Sequence, residues 1–202
     1  VYCPTVKSSW FYVRRNNKIY ITGNTSYLGT AFTMSRHLKV PVKTMENFQA
    51  SFLGAYPGFS QWHKWTRIQL QTTQSLTTAF GRERHFFGRP NDDTTLREAV
   101  AYVPQSSTAD RLNLVLWRIW KHMGTRVRIL AQVHDALYFL YREDDNEQEL
   151  INKALSYFTI PMEHKGHKLV VPGEAKVGWN WATYDKEKNP DGLAKFKGSD
   201  TR

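Results

Sequence analysis

The 202 residues leave room for one ordinary domain or two small ones, and with 41% hydrophobic and 14% aromatic residues the chain can build a core, which excludes wholesale disorder. No apolar run is long enough to span a bilayer and no basic-then-apolar leader opens the sequence, so no membrane partner is expected. A single cysteine excludes an internal disulfide and fits a reducing cytoplasm, while a net charge of +10 and a pI near 9.7 make an acidic polymer the first partner to consider.

In chain order, Val1–Val6 and Lys18–Thr22 read as β-rich runs either side of a polar Arg14-Arg15-Asn16-Asn17 turn. A short helix is expected from Ala31 to Leu38, stopped before Pro41. Met45, Phe48, Phe52 and Leu53 give residues 43–55 helical spacing, closed by the breaker Tyr56-Pro57-Gly58. A third helix is expected over 59–76 with Trp62, Trp65 and Ile68 on one face, followed by a strand-loop-strand stretch from Thr77 to Phe87 hinged at Gly81. Ser107-Thr108-Ala109-Asp110 has capping-box spacing, which predicts a helix start ahead of the stripe Leu112, Val115, Leu116, Ile119, Trp120 and Met123. Val127–Val133 and Leu137–Tyr141 predict a hairpin with His134-Asp135 at its charged tip. Glu147–Phe158 reads as a helix and Leu169–Trp181 as extended, and the polar Gly/Lys-rich tail over 186–202 is expected to be disordered.

A carboxylate held stiffly at a hairpin tip suits a divalent cation that takes oxygen ligands, although an Asp is also an ordinary turn residue. Three separated segments give Asp135 its context. Thr78-Ala79-Phe80-Gly81-Arg82-Glu83-Arg84, then Pro104-Gln105-Ser106-Ser107-Thr108-Ala109-Asp110, then Gln132-Val133-His134-Asp135 occur in the order of the polymerase-I family. The first resembles its Thr-x-x-Gly-Arg-Arg segment, the second its Pro-x-Gln-Gly-Thr-Ala-Ala-Asp helix start one residue shorter, and the third motif C. Tyr27 to Pro41, Tyr56-Pro57-Gly58 and Gly178-Trp179-Asn180-Trp181 match further landmarks. Residues 25–185 are therefore identified as similar to the C-terminal part of a family-A DNA polymerase, of the kind found in phages. The fold class expected is α+β: a palm and fingers fragment of mixed helices with an antiparallel hairpin carrying motif C, plus a short N-terminal β segment.

The resemblance implies template-directed nucleotidyl transfer on primer-template DNA with dNTPs, by two Mg²⁺ ions held between two aspartates. Asp135 matches the motif C metal ligand. His134 and Gln132 match residues near the primer terminus and minor groove, Gln105 the template side, Arg82 and Arg84 phosphate contacts, and Tyr27 the tyrosine beside the templating base. Ala136 stands where the family usually has Glu. The second aspartate, in motif A, has no counterpart among the 202 residues, and the nearest candidate for the fingers lysine, Lys18, is one position out of register.

Residues 1–24 are similar to something else. Val1-Tyr2-Cys3-Pro4-Thr5-Val6 resembles the intein segment Val-Tyr-Asp-Leu-Thr-Val, and Ile19 to Asn24 followed by Thr25 resembles an intein C-terminus. A Cys in place of that Asp marks the class 3 group. The resemblance implies that Cys3 accepts an upstream acyl group and passes it to the Thr25 hydroxyl, after which Asn24 cyclises and frees the intein. Gly23 replaces the usual penultimate His. The expectation is a C-terminal half of a split gene in a bacterial host's cytoplasm, with a separately encoded partner supplying the remaining intein, motif A and the fingers lysine. The alternatives are a β-hairpin elaboration of the fingers at the N-terminus and, for the whole chain, a non-catalytic DNA-binding module that kept a palm.

Overall fold

The computed structural model describes the backbone of residues 10–15, 18–164 and 166–196, and side chains from residue 26 onward except at 164 and 165. Cys3 therefore lies outside the described residues, and of Asn24 and Thr25 only the backbone is described. The chain divides into two units, residues 2–105 and residues 106–202 with Val1.

In the N-terminal unit, β1 (Trp10–Arg15) and β2 (Lys18–Gly23) pair antiparallel, with Arg15 opposite Lys18, and lead into a 3-10 turn over Asn24–Tyr27. Helix α1 (Ala31–Leu38) starts where Thr30 Oγ1 accepts the Thr33 N–H at 3.2 Å, and ends at Lys39 in the left-handed region. Helix α2 (Val42–Ala55) follows, and Met34 and Met45 are buried between the two with Phe48 and Leu38 against them. Helix α3 (Pro57–Thr72) begins with proline at a position that has no helical acceptor for its N–H, where the missing donor costs nothing. It ends four residues earlier than expected. The hydroxyls of Thr72 and Thr73 bond back to Ile68 O and Gln69 O, and Gln74 takes a left-handed φ of 50°. Ile68, expected on the buried face, is exposed; Thr66 and Leu70, four and eight residues on from Trp62, go inward instead.

Strands β3 (Ser75–Thr77) and β4 (Glu83–His85) form a hairpin turned, as expected, at Gly81 with φ 86°, its first strand lying two residues ahead of the stretch expected from Thr77. The largest correction concerns α4 (Asp93–Met123), which runs unbroken through Pro104 instead of starting at Ser107. Its cap is Asp92, whose Oδ2 accepts the N–H groups of Thr94 and Thr95 at 3.0 Å each. The Thr95 N–H, above all, holds that carboxyl below its ordinary value. Pro104 should break the helix because it leaves the carbonyl four residues back without a donor. That carbonyl, on Val100, accepts the Trp62 indole N–H at 3.4 Å. A tertiary donor thus replaces the missing helical one, and the capping-box spacing at Ser107 loses its meaning. Around this contact lies the unit's core: Leu70, Leu76, Phe86, Leu96, Ala99, Val100, Tyr102 and Val103, with Trp62, Trp65 and Tyr27 against it.

In the C-terminal unit, α4 buries Leu112, Val115, Ile119 and Met123 at the expected helical spacing, and Trp120 faces out. Strands β5 (Val127–Val133) and β6 (Ala136–Tyr141) then form the anticipated hairpin. Helix α5 (Glu147–Ser156) is capped by Asn146, whose Oδ1 accepts the Glu149 N–H, and Arg126 pairs with both Asp145 and Glu149 at 3.1 and 2.8 Å. Two short antiparallel pairs complete the unit, β7 (Pro161–His164) with β8 (His167–Val170), and β9 (Lys176–Val177) with β10 (Ala194–Lys195).

The last pair corrects the expectation of a disordered tail from residue 186. Asp185 Oδ1 accepts the backbone N–H groups of Glu187 and Lys188, Asn180 and Asn189 exchange amide hydrogen bonds, and Phe196 is buried. Side-chain-to-backbone bonds organise a segment with almost no apolar residues. Residues 197–202 lie outside the described part.

Candidate active site

Alternating β-formers drive β5 and β6 together, and the register Val133 opposite Ala136 leaves only His134 and Asp135 for the turn. Such a tight turn needs a positive φ at its first central residue. His134 supplies it at 54°, a region that His tolerates better than most non-glycine residues. Asp135 is thereby presented at the tip with its carboxylate exposed. A bulge between Ile129 and Ala131 leaves Leu130 outside the ladder and raises the local twist below the tip.

Two contacts brace this hairpin. Gln132 Nε2 donates to Asn113 Oδ1 on α4 at 3.0 Å, and the Tyr138 ring stacks on Trp181 at 4.7 Å between centroids. Tyr141 at the far end donates its hydroxyl to Glu147, and burial together with this bond pushes its phenol pKa up. Arg111, on α4, is only 4% exposed; its Nη2 donates to Phe158 O at 2.7 Å and also to Val171 O, with the guanidinium 5.3 Å from the Phe158 ring. Burial lowers its pKa.

Gln132, His134 and Asp135 thus come together on one hairpin end. Tyr27, Arg82, Arg84 and Gln105 belong to the other unit. There, Tyr27 sits half-buried in the turn after β2, where His63 Nε2 bonds the neighbouring Ser26 carbonyl at 2.9 Å and so must carry the proton. Gln105 is exposed on α4. Arg82 lies on the exposed edge of the β3–β4 hairpin, its own carbonyl accepting the Tyr102 hydroxyl at 3.0 Å. Arg84 is engaged internally: it pairs with Glu98 at 2.9 Å and lies over the Phe86 ring at 4.7 Å.

Among the described residues no group of three or more His, Cys, Asp or Glu side chains gathers as a metal site. Asp135 alone offers a hard oxygen donor at the tip. That suits Mg²⁺, which keeps waters and substrate phosphates and takes only one or two protein carboxylates. The residues present fit one corner of such a site and no more. Sequence reasoning missed Asn113, Trp181, Arg111, His63 and Glu98 as partners, because each acts across a distance that no spacing encodes.

The sequence profile of DNA polymerase family A matches residues 11–183. DNA polymerase I of Helicobacter pylori strain J99 is 26% identical over 142 residues, covering 64% of this chain and 16% of that protein. The solved POL domain of Pol1 from M. smegmatis, in complex with DNA primer-template and dNTP, superposes with a TM-score of 0.61 at 22% identity over 74% of this chain and 27% of that one. The chain thus spans a small part of the proteins it resembles, and the likeness in structure gives the α+β palm and fingers fold of mixed helices and small antiparallel pairs. With the profile covering most of its length, the chain belongs to DNA polymerase family A.

Proposed function

We propose that residues 25–185 form the motif C half of a template-directed DNA polymerase active site. The observation that carries this reading is Asp135, held exposed on a two-residue turn with His134 and Gln132 beside it, in a chain of this family. Asp135 would hold Mg²⁺, which when bound neutralises charge on the triphosphate and eases deprotonation of the primer 3′-hydroxyl. The second carboxylate and the fingers cations come from polypeptide outside the 202 residues. Gln132, fixed by Asn113, keeps one amide edge for the minor groove, and Arg82 meets a phosphate. The primer-template DNA and dNTP in complex with the M. smegmatis domain support the same partners for this chain. In a titration of primer-template DNA against salt, log affinity should fall steeply with log salt. Arg82→Ala is expected to flatten that slope by about one. Arg84→Ala should flatten it less, since Glu98 already answers its charge. An affinity indifferent to salt would remove the backbone-tracking groove.

A second reading concerns residues 1–24 as the C-terminal piece of an intein. Its support is the pair of motifs around Cys3 and Asn24–Thr25, of which Val1–Val6 lies outside the described residues. Against it stands the family match beginning at Phe11, which favours a hairpin elaboration of the fingers. Mixing with a polypeptide that carries the rest of the intein decides between them. Mass spectrometry should then find a ligated product starting at Thr25 on this side and a released peptide ending in an Asn24 succinimide. Cys3→Ala should stop ligation, and Asn24→Ala should leave a branched ester on Thr25. An intact Asn24–Thr25 bond in every mixture would leave the elaborated-fingers reading.

A further inference from the structure

Phe87 is 98% exposed, an unusual place for a phenyl ring on a segment that is otherwise tightly held. On one side its neighbour Phe86 is buried in the core, with its N–H bonded to Gln74 O at 2.8 Å. On the other, Gly88 presses so closely on Thr95 that an added Cβ would sit 2.1 Å from Thr95 Oγ1. Thr95 itself is buried and tied to the Asp92 cap. Both flanks of Phe87 are therefore fixed, and the ring is displayed at little entropic cost on binding.

Beside the ring opens a cavity of about 260 Å³, whose walls include Arg84, Thr95 and Glu98. The run Arg82-Glu83-Arg84-His85-Phe86-Phe87-Gly88-Arg89 interleaves aromatic and basic residues. Glu98 takes up the charge of Arg84, whereas among the described residues no carboxylate lies within ion-pair distance of the exposed Arg89. A flat apolar face, a polar recess beside it and a cation two residues on match the parts of an unpaired nucleotide: base face, base edge and phosphate. An apolar protein partner would leave both the recess and Arg89 without a counterpart.

We infer that Phe87 and the adjoining recess take one unpaired base of single-stranded DNA, with Arg89 on its phosphate. The inference deepens the polymerase reading, since a template strand ahead of the primer is such a ligand, and it rests on that reading for DNA as the partner. Anisotropy titrations of the full chain with a labelled 5′-overhang primer-template, a short oligothymidylate and a blunt duplex test it. Phe87→Ala should weaken the first two about tenfold and leave the blunt duplex within about twofold, and Phe87→Trp should retain wild-type affinity. Arg89→Ala should reduce the salt slope for oligothymidylate by about 0.7. Because the Phe87 ring touches water almost everywhere, the alanine variant should melt with the wild type. Unchanged overhang binding by Phe87→Ala, or an equal loss on blunt duplex, would overturn the inference. If Phe87→Ala loses overhang binding while the assembled polymerase fails to extend primers, the base site stands and the catalytic reading falls.

Discussion

Asp135→Ala is expected to lower primer extension about a thousandfold in a polymerase active site completed with a motif A segment, with primer-template affinity nearly unchanged. A metal ion contributes several kcal/mol of charge stabilisation in the transition state, and each 1.36 kcal/mol is tenfold in rate, which gives about that figure. The carboxylate is exposed on a turn and makes no hydrogen bond or ion pair among the described residues, so its removal has no structural route to the same loss. Affinity should hold because phosphate neutralisation rests on cations elsewhere. Single-turnover extension with Mg²⁺, alongside binding of the same duplex, separates the two effects. Full extension by the variant would remove Asp135 as a metal ligand, and a palm that binds DNA without any extension in wild type would favour the non-catalytic module.

Arg111→Met is expected to destabilise the C-terminal unit by about 2–4 kcal/mol. Two carbonyls, Phe158 O and Val171 O, lose their shared donor, and each unsatisfied buried acceptor costs about 1–3 kcal/mol. Relief of the guanidinium's own burial offsets part of this, since its Nε has no acceptor among the described residues. Methionine keeps the apolar stem's packing, so the polar term is what the variant reads. Arg111→Lys should rescue part of the loss, because both carbonyls accept from the single nitrogen Nη2 and an ammonium carries three donors of its own. The midpoint of urea unfolding, at unchanged slope, measures the difference. A midpoint equal to wild type would mean that water satisfies both carbonyls.

The site hairpin was legible because its information is local: two runs of β-formers leave only His134-Asp135 between them, and period two fixes the register. Helices α1, α2 and α5 were legible for the same reason, each bounded by its own cap or breaker. Helix α4 was not. Pro104 and the Ser107 spacing both argue locally for a boundary, and only a tryptophan 42 positions earlier, donating to Val100 O, overrides them. The tail was misjudged because its order rests on Asp and Asn side chains bonding backbone, which composition scores as polarity. At the site, the residue types could be read from motifs, but the braces could not. Nothing in a sequence tells that Asn113 will meet Gln132, or that Glu98 will pair with Arg84.

The left-handed backbone at His134 narrows the alphabet available to that position before any chemistry is considered. Valine, isoleucine or threonine would be strained there by their branched Cβ, while glycine, asparagine and aspartate would be accepted with little strain. Drift at 134 is thus channelled by the turn. A histidine found at this place in other chains would not by itself signal a task at the primer terminus, because the hairpin alone favours a short list that contains it. Exchange for asparagine separates the two pressures: it keeps the turn and discards the imidazole.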